Sequence, residues 1–176
     1  MTEIEVKILE IDRRPIEKKL IEWGARKQFD GRLRNLFFDF ADGSVRKDKG
    51  VIRLRTKGER TVFAFKKILG QKKAKVCKEI EVEVSDFKAM QEILAGMGLK
   101  AWSNMLKHRT SYRLPHAQFE FDRYLGQYSH IPEFLEIEAE NEALIWNYAR
   151  RLGFRKEQIL PWSTFELVKH YAKLGR

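Results

Sequence analysis

The chain begins with charged and aliphatic residues in strict alternation: Glu3, Glu5 and Lys7 against Ile4, Val6 and Ile8. Successive side chains of an extended strand point to opposite faces, so the two carboxylates and the ammonium share one face. The same division recurs downstream. Arg53 and Arg55 oppose Ile52 and Leu54, and Lys66 opposes Phe63 and Phe65. Glu79, Glu81 and Glu83 oppose Ile80, Val82 and Val84, and Lys107 shares a face with Arg109. Glu120 and Asp122 oppose Phe119 and Phe121, and Glu136 and Glu138 oppose Leu135 and Ile137. Guanidinium forks and lysine ammoniums grip phosphate oxygens. Carboxylates bind hard cations such as Mg²⁺ or Mn²⁺. A surface with both suits phosphoryl chemistry, which needs positioning, charge neutralisation and an in-line nucleophile.

The elements that must position these residues follow from periodicity. Strands are expected at about 2–10, 33–40, 51–57, 61–67, 75–84, 104–114, 117–125 and 134–140. Helices are expected at about 13–24 after Asp12, at 86–97 after Ser85, at 141–152, and at 163–174 after Pro161, with a short piece after Arg155. The basic stretch Lys66 to Lys73 reads as a flexible hairpin tip. Hairpin connections favour an antiparallel sheet. One charged-and-apolar strand is what any sheet with a wet face produces. Seven in one chain argue for more, because a sheet eight strands wide tends to curl or close. With helices over the apolar face, the charged faces point into a lumen. The expected fold is therefore α+β, mainly antiparallel β: a closed eight-stranded barrel with helices packed outside, formed by residues 1–176 as one domain.

Composition is consistent with this. Of 176 residues, 43% are hydrophobic, which excludes a disordered chain. The single cysteine, Cys77, excludes an internal disulfide and a multi-cysteine zinc site. No apolar run approaches the ~20 residues of a membrane span, and the acidic start does not resemble a signal peptide. A cytoplasmic protein without a membrane partner is expected. The net charge of +10 favours a phosphate-bearing partner. The lysine run from Lys66 to Lys78 lacks the interleaved aromatics of a stacking platform, which argues against nucleic acid. His108, His116, His130 and His170 have no metal-ligand spacing and read as packing or surface residues.

At this point the sequence resembles a known family. Glu3-Ile4-Glu5-Val6-Lys7 matches the ExExK signature of the CYTH superfamily, the triphosphate tunnel metalloenzymes. Phe38-Asp39, Arg53-Leu54-Arg55, Phe65-Lys66, Lys78-Glu79-Ile80-Glu81, Lys107-His108-Arg109 with Tyr112, Phe121-Asp122, and Leu135-Glu136-Ile137-Glu138 resemble its later motifs in order. Ser163-Thr164-Phe165-Glu166-Leu167 is similar to its closing motif, with Phe165 in place of tyrosine. The resemblance implies a barrel whose tunnel binds triphosphate. Lys7, Arg53, Arg55, Lys66 and Arg109 would hold the phosphates and serve catalysis, with Lys107 as a further phosphate ligand. Glu3, Glu5, Asp122, Glu136 and Glu138 would hold Mg²⁺ or Mn²⁺, with Glu79 and Glu81 as further candidates.

Two activities stay open. One is hydrolysis of inorganic tripolyphosphate, thiamine triphosphate or a nucleoside triphosphate. The other is a class IV adenylate cyclase reaction on ATP, giving cyclic AMP. A non-catalytic module that captures polyphosphate, nucleotide or RNA is the alternative of a different class. The chain is expected to act as a monomer or homodimer.

Overall fold

The computed structural model describes residues 2–174. Eight strands close into an antiparallel barrel: β1 (Thr2–Ile8), β2 (Arg26–Asp39), β3 (Gly50–Lys57), β4 (Arg60–Gln71), β5 (Lys75–Val84), β6 (Lys100–Leu114), β7 (Ala117–Leu125) and β8 (Phe134–Ala139). Around the barrel the order is β1-β5-β4-β3-β2-β6-β7-β8, and β8 returns to β1. Among the described residues there are five α-helices: α1 (Arg13–Glu22), α2 (Ser44–Lys47), α3 (Phe87–Gly96), α4 (Glu142–Leu152) and α5 (Thr164–Lys173), with single 3-10 turns at Gly126–Tyr128 and Lys156–Gln158.

Local chemistry sets the helix starts. Asp12 accepts from the Arg14 N–H, Asp86 from the N–H groups of Lys88 and Ala89, and Asn141 from the Leu144 N–H. Each satisfies donors that the first turn leaves without a partner. α4 stops at Gly153, whose φ of 102° is a left-handed conformation that glycine adopts without strain. Asp39, at the end of β2, accepts from the backbone of Phe40, Val45 and Arg46 and from the Arg46 side chain, so it organises α2.

The strand alternation holds around the barrel except at register shifts in the β2–β6 and β4–β5 ladders. The outer aliphatic faces of β1, β7 and β8 (Val6, Ile8, Phe119, Phe121, Leu135, Ile137) form one core with Ile16 and Leu20 of α1 and with Ile145, Ala149 and Leu152 of α4. A second core joins Leu36, Phe38 and Leu54 to Leu94 of α3. A third gathers Phe37, Met105, Tyr124 and Phe134 with Leu167 and Tyr171 of α5.

Three expectations need correction. β2 starts at Arg26, well before residue 33, because it pairs along its length with the 15-residue β6. The stretch 66–73 is not a flexible tip: β4 continues to Gln71, paired to β5 through a bulge between Ile68 and Gly70. The third concerns α5, expected only as a helix packed outside the barrel: its start, Ser163 to Phe165, also lines the tunnel cavity.

Phe119 is fully buried and meets Tyr148 of α4 edge-on at 5.3 Å. Phe119→Ala is expected to lower stability by about 3–5 kcal/mol, read as a shift of the denaturant midpoint with unchanged slope.

Candidate active site

The tunnel holds a cavity of about 240 Å³. Arg53, Arg55, Lys57, Lys66, Lys75, Lys107 and Arg109 line it, and so do Glu3, Glu5, Glu79, Glu81, Glu120, Glu136 and Glu138. Seven cations therefore face seven carboxylates. Lys7 and Asp122 sit directly behind this lining, 1% and 0% exposed. The tunnel charges balance, so the net +10 of the chain resides outside it.

Strand pairing brings these groups together. Glu5 lies opposite Glu138, and Lys7 opposite Glu136. Glu120 faces Glu136 across β7 and β8, and Arg109 faces Asp122 across β6 and β7. Lys66 faces Glu79, and Glu3 faces Cys77. The result is two networks of buried ion pairs, one centred on Lys7 and Arg109 and one on Lys66 and Glu79. Lys7 Nζ donates to Glu136 at 2.6 Å and to Glu5 at 3.1 Å. Lys75 also pairs with Glu5. Arg53 donates to Glu79 at 2.9 Å, and Lys66 bridges Glu79, at 2.7 Å, and Glu3. Lys107 and Arg109 both bind Asp122, and Arg109 reaches Glu120 as well.

Lys57 and Glu81 line the cavity without an ion pair among the described residues, and three further groups stand outside the pairing. Arg55 donates to Asn35 at 2.9 Å and, among the described residues, is in no ion pair with a carboxylate. Arg53 Nε is buried without a hydrogen-bond partner. Glu138 is likewise in no ion pair among the described residues, and burial together with the charges on Glu120, Glu136 and Glu5 pushes it up to about 7. The tunnel thus presents open donors near Arg53 and Arg55 and surplus negative charge near Glu138.

Other titrations follow from the lattice. Burial and the Arg109 charge lower Lys107 to about 8, despite Asp122. Burial would raise Glu136, but Lys7, Arg109 and Lys107 hold it well below the usual carboxylate range. Burial and a hydrogen bond with Glu79 push Glu3 up. Glu79 is held low because the Glu3 hydrogen bond and the Lys66 and Arg53 charges outweigh its burial.

Of the sequence-predicted site residues, Arg53, Arg55, Lys66, Lys107, Arg109, Glu3, Glu5, Glu79, Glu81, Glu136 and Glu138 all line the cavity. Lys7 and Asp122 do not reach its surface. They brace the residues that do. The sequence analysis gives no site role to Lys75, which falls in the Lys66 to Lys78 lysine run, or to Glu120, whose face it identifies. Strand parity could have found both: Lys75 shares a face with Cys77 and Glu79, and Glu120 with Asp122. Ser163, Thr164 and Phe165, at the start of α5, also line the cavity. Phe165 packs on Trp102 at 4.6 Å and edge-on to Phe37 at 5.0 Å. Gln71 donates to Pro161 O at 2.7 Å and holds this closure from the β4 side.

The donor set is all oxygen and suits Mg²⁺ or Mn²⁺. The repulsion that raises Glu138 is the kind that a divalent cation relieves. In this structure the carboxylates turn to lysine and arginine instead. Among the described residues, no three His, Cys, Asp or Glu side chains converge in metal-binding geometry.

With the geometry established, the relatives can be compared. The family model of the CYTH domain matches residues 1–150, and the chain belongs to that family. No curated protein matches the chain significantly. Among solved structures, the PH1012 protein of Pyrococcus horikoshii is 26% identical, with a TM-score of 0.78 and 94% and 98% of the two chains covered. A conserved hypothetical protein of Pyrococcus furiosus is 23% identical, with a TM-score of 0.77 and coverage of 94% and 99%. A candidate adenylyl cyclase of Hippeastrum, reported with a dominant triphosphatase activity, is 16% identical, with a TM-score of 0.69 and coverage of 96% and 95%. No helix among the described residues is long and apolar enough to cross a membrane. α5 lies beyond the residues that the family model matches, yet it contributes to the cavity.

Glu138 supplies a pH test of the lattice. Its pKa in the folded chain lies above its ordinary 4.5. Between those two values the folded state binds the proton more tightly than the unfolded chain, so this group's contribution to stability falls as pH rises. Glu138→Gln is expected to stabilise the metal-free protein at pH 8. The gain should vanish below pH 4.5, in thermal melts compared across pH with a chelator present.

Proposed function

We propose that the tunnel binds a triphosphate together with a divalent cation and hydrolyses it. The observation that carries this reading is the lining: seven cations and seven carboxylates around one cavity of about 240 Å³. Pockets for drug-sized organic ligands begin at roughly 300 Å³. A smaller chamber with α5 across one end favours a short inorganic chain, so tripolyphosphate is preferred to thiamine triphosphate and ATP. The triphosphatase activity reported for the Hippeastrum structure supports the same class.

In this reading Arg53, Arg55, Lys66 and Arg109 bind and orient the phosphoryl groups. Arg55 offers donors that no carboxylate occupies, and Arg53 Nε gains the partner it lacks. Lys107 adds a charge at the same wall. Lys7, behind the lining, is a positioning residue that fixes Glu5 and Glu136. Glu5, Glu136 and Glu138 would hold the cation, with Glu3, Glu120 and Asp122 close by and Glu79 and Glu81 further round the wall. Bound Mg²⁺ or Mn²⁺ supplies a positive centre that polarises the phosphoryl group and lowers the pKa of water. Phosphate oxygens that take Lys66 and Arg53 leave Glu3 and Glu79 without their counter-charges. Phosphate therefore binds well only when a cation enters with it. The unit is residues 1–176, closed by α5, and it works in the cytoplasm.

The test is to incubate the protein with tripolyphosphate, thiamine triphosphate and ATP, each with Mg²⁺ and then Mn²⁺. Orthophosphate, pyrophosphate and cyclic AMP are quantified together. Orthophosphate is expected, fastest from tripolyphosphate. Glu5→Gln and Arg55→Met should each lower the rate at least ~100-fold. Cyclic AMP with matching pyrophosphate would replace hydrolysis with a cyclase reaction. Binding that survives a chelator without turnover would leave a capture module.

A further inference from the structure

Asp39 does not line the tunnel, yet it is 2% exposed and holds the Arg46 side chain, whose Nε donates to it at 2.7 Å. Gly43, at φ 69°, has no Cβ where one would meet the Arg46 guanidinium at 3.3 Å. Arg46 is thereby laid over Trp102, its guanidinium carbon 4.2 Å from the ring centroid. Trp102 in turn stacks on Phe165 at 4.6 Å, and Phe165 lines the cavity. A chain of direct contacts therefore runs from Asp39 through α2 and β6 to the tunnel. β6 is distorted to permit it. Phe37 pairs with Ser103 and Phe38 with Ala101, so Trp102 is the extra residue of a β-bulge, with no partner on β2. Bulges beside functional sites re-aim side chains. This one has a cost, because Ser103 Oγ next to Trp102 is buried without a hydrogen-bond partner. Leu167 and Tyr171, 0% and 1% exposed, seat the body of α5. Its first turn leans on Phe37 and Trp102 on one side and is held by Gln71 on the other.

We infer that Arg46 and Trp102 set which triphosphates the tunnel accepts, by holding Phe165 across the end into which an organic head group would extend; this rests on the triphosphate hydrolysis proposed above. Both are positioning residues: neither lines the cavity, and both act through Phe165. A guanidinium over an indole face is attracted by the ring quadrupole, and the buried Asp39 carboxylate fixes where that guanidinium lies. Phe165 is therefore backed by a charged, hydrogen-bonded layer rather than by ring packing alone. A bare phosphate chain has no head group to place at this end. A nucleoside or thiamine triphosphate must push Phe165 and its backing aside, and the binding energy spent on that is lost to affinity.

Steady-state kinetics on tripolyphosphate and on ATP, both with Mg²⁺, test this in Arg46→Ala, Trp102→Leu and Trp102→Phe, together with hydrogen exchange of the hydrogen-bonded amides of Ser163, Glu166 and Leu167. The Arg46 side chain is 47% exposed, so its truncation leaves the fold intact. Arg46→Ala is expected to raise kcat/KM for ATP relative to tripolyphosphate about tenfold. The change should come through a lower KM for ATP, with kcat for tripolyphosphate unchanged. The three amides should exchange faster while α1 and α4 keep their protection. Trp102→Leu should do at least as much, and Trp102→Phe, which keeps a ring beneath the guanidinium, should retain the wild-type ratio. An unchanged ratio in both Arg46→Ala and Trp102→Leu, with tripolyphosphate still hydrolysed, overturns the inference and leaves the proposed hydrolysis standing. A shifted ratio with unchanged exchange at α5 overturns the route through Phe165. Wild-type protein that releases phosphate from neither substrate overturns the proposed hydrolysis and this inference with it.

Discussion

The structure depends on how charge is buried in the lumen. Removing an ion from water costs several kcal/mol even after relaxation, and only good geometry with an opposite charge offsets it. Eight cations and eight carboxylates line or brace this tunnel, and twelve of the sixteen touch an opposite partner. The barrel makes this possible because its strand alternation sets the charges in facing rows, and cross-strand neighbours fall within ion-pair reach. The same rows place the aliphatic residues outside, where α1, α3 and α4 cover most of them.

A lattice of this kind is stable and also exchangeable. Each cation held by a carboxylate is one that a phosphate oxygen can take over, provided the carboxylate finds a new positive partner. This links three of the departures from balance. Arg55 lacks a carboxylate, Arg53 Nε lacks an acceptor, and Glu138 sits among like charges. The first two leave a demand for anion and the third a demand for cation, within one cavity. A packed protein core would not keep such demands open, since replacing buried ion pairs with apolar groups is often neutral or stabilising.

Much of this was legible in the sequence because alternation with period two is a strong and local signal. Glu3, Glu5 and Lys7 against Ile4, Val6 and Ile8 fixed a face without any knowledge of the partner strands. All eight strands and four of the helices were anticipated, although β2, β4 and β6 run longer than their patterns suggested. What escaped depends on long-range pairing. Lys75 reads as one more solvated lysine until β4 is seen to run on to Gln71, which carries Lys75 into the lumen opposite Glu5. Lys7 and Asp122 have the right parity, but parity does not show depth, and both lie behind the surface they support. The closure by Phe165 against Phe37 and Trp102 joins residues far apart in sequence, and no local pattern announces it. Helices were expected over the apolar face in general, but Ile80 and Val82 stay exposed, and α3, between β5 and β6, packs on β3.

The central claim is that these rows of charge form a joint seat for phosphate and cation. A crystal structure with tripolyphosphate and Mn²⁺, collected at a wavelength that reveals manganese by anomalous scattering, tests it most directly. The account predicts phosphate oxygens on Arg53, Arg55 and Lys66, an anomalous peak beside Glu5, Glu136 and Glu138, and Lys66 released from Glu79. Tripolyphosphate bound to lysines on the outer wall, with every tunnel ion pair intact and no manganese in the lumen, would contradict it.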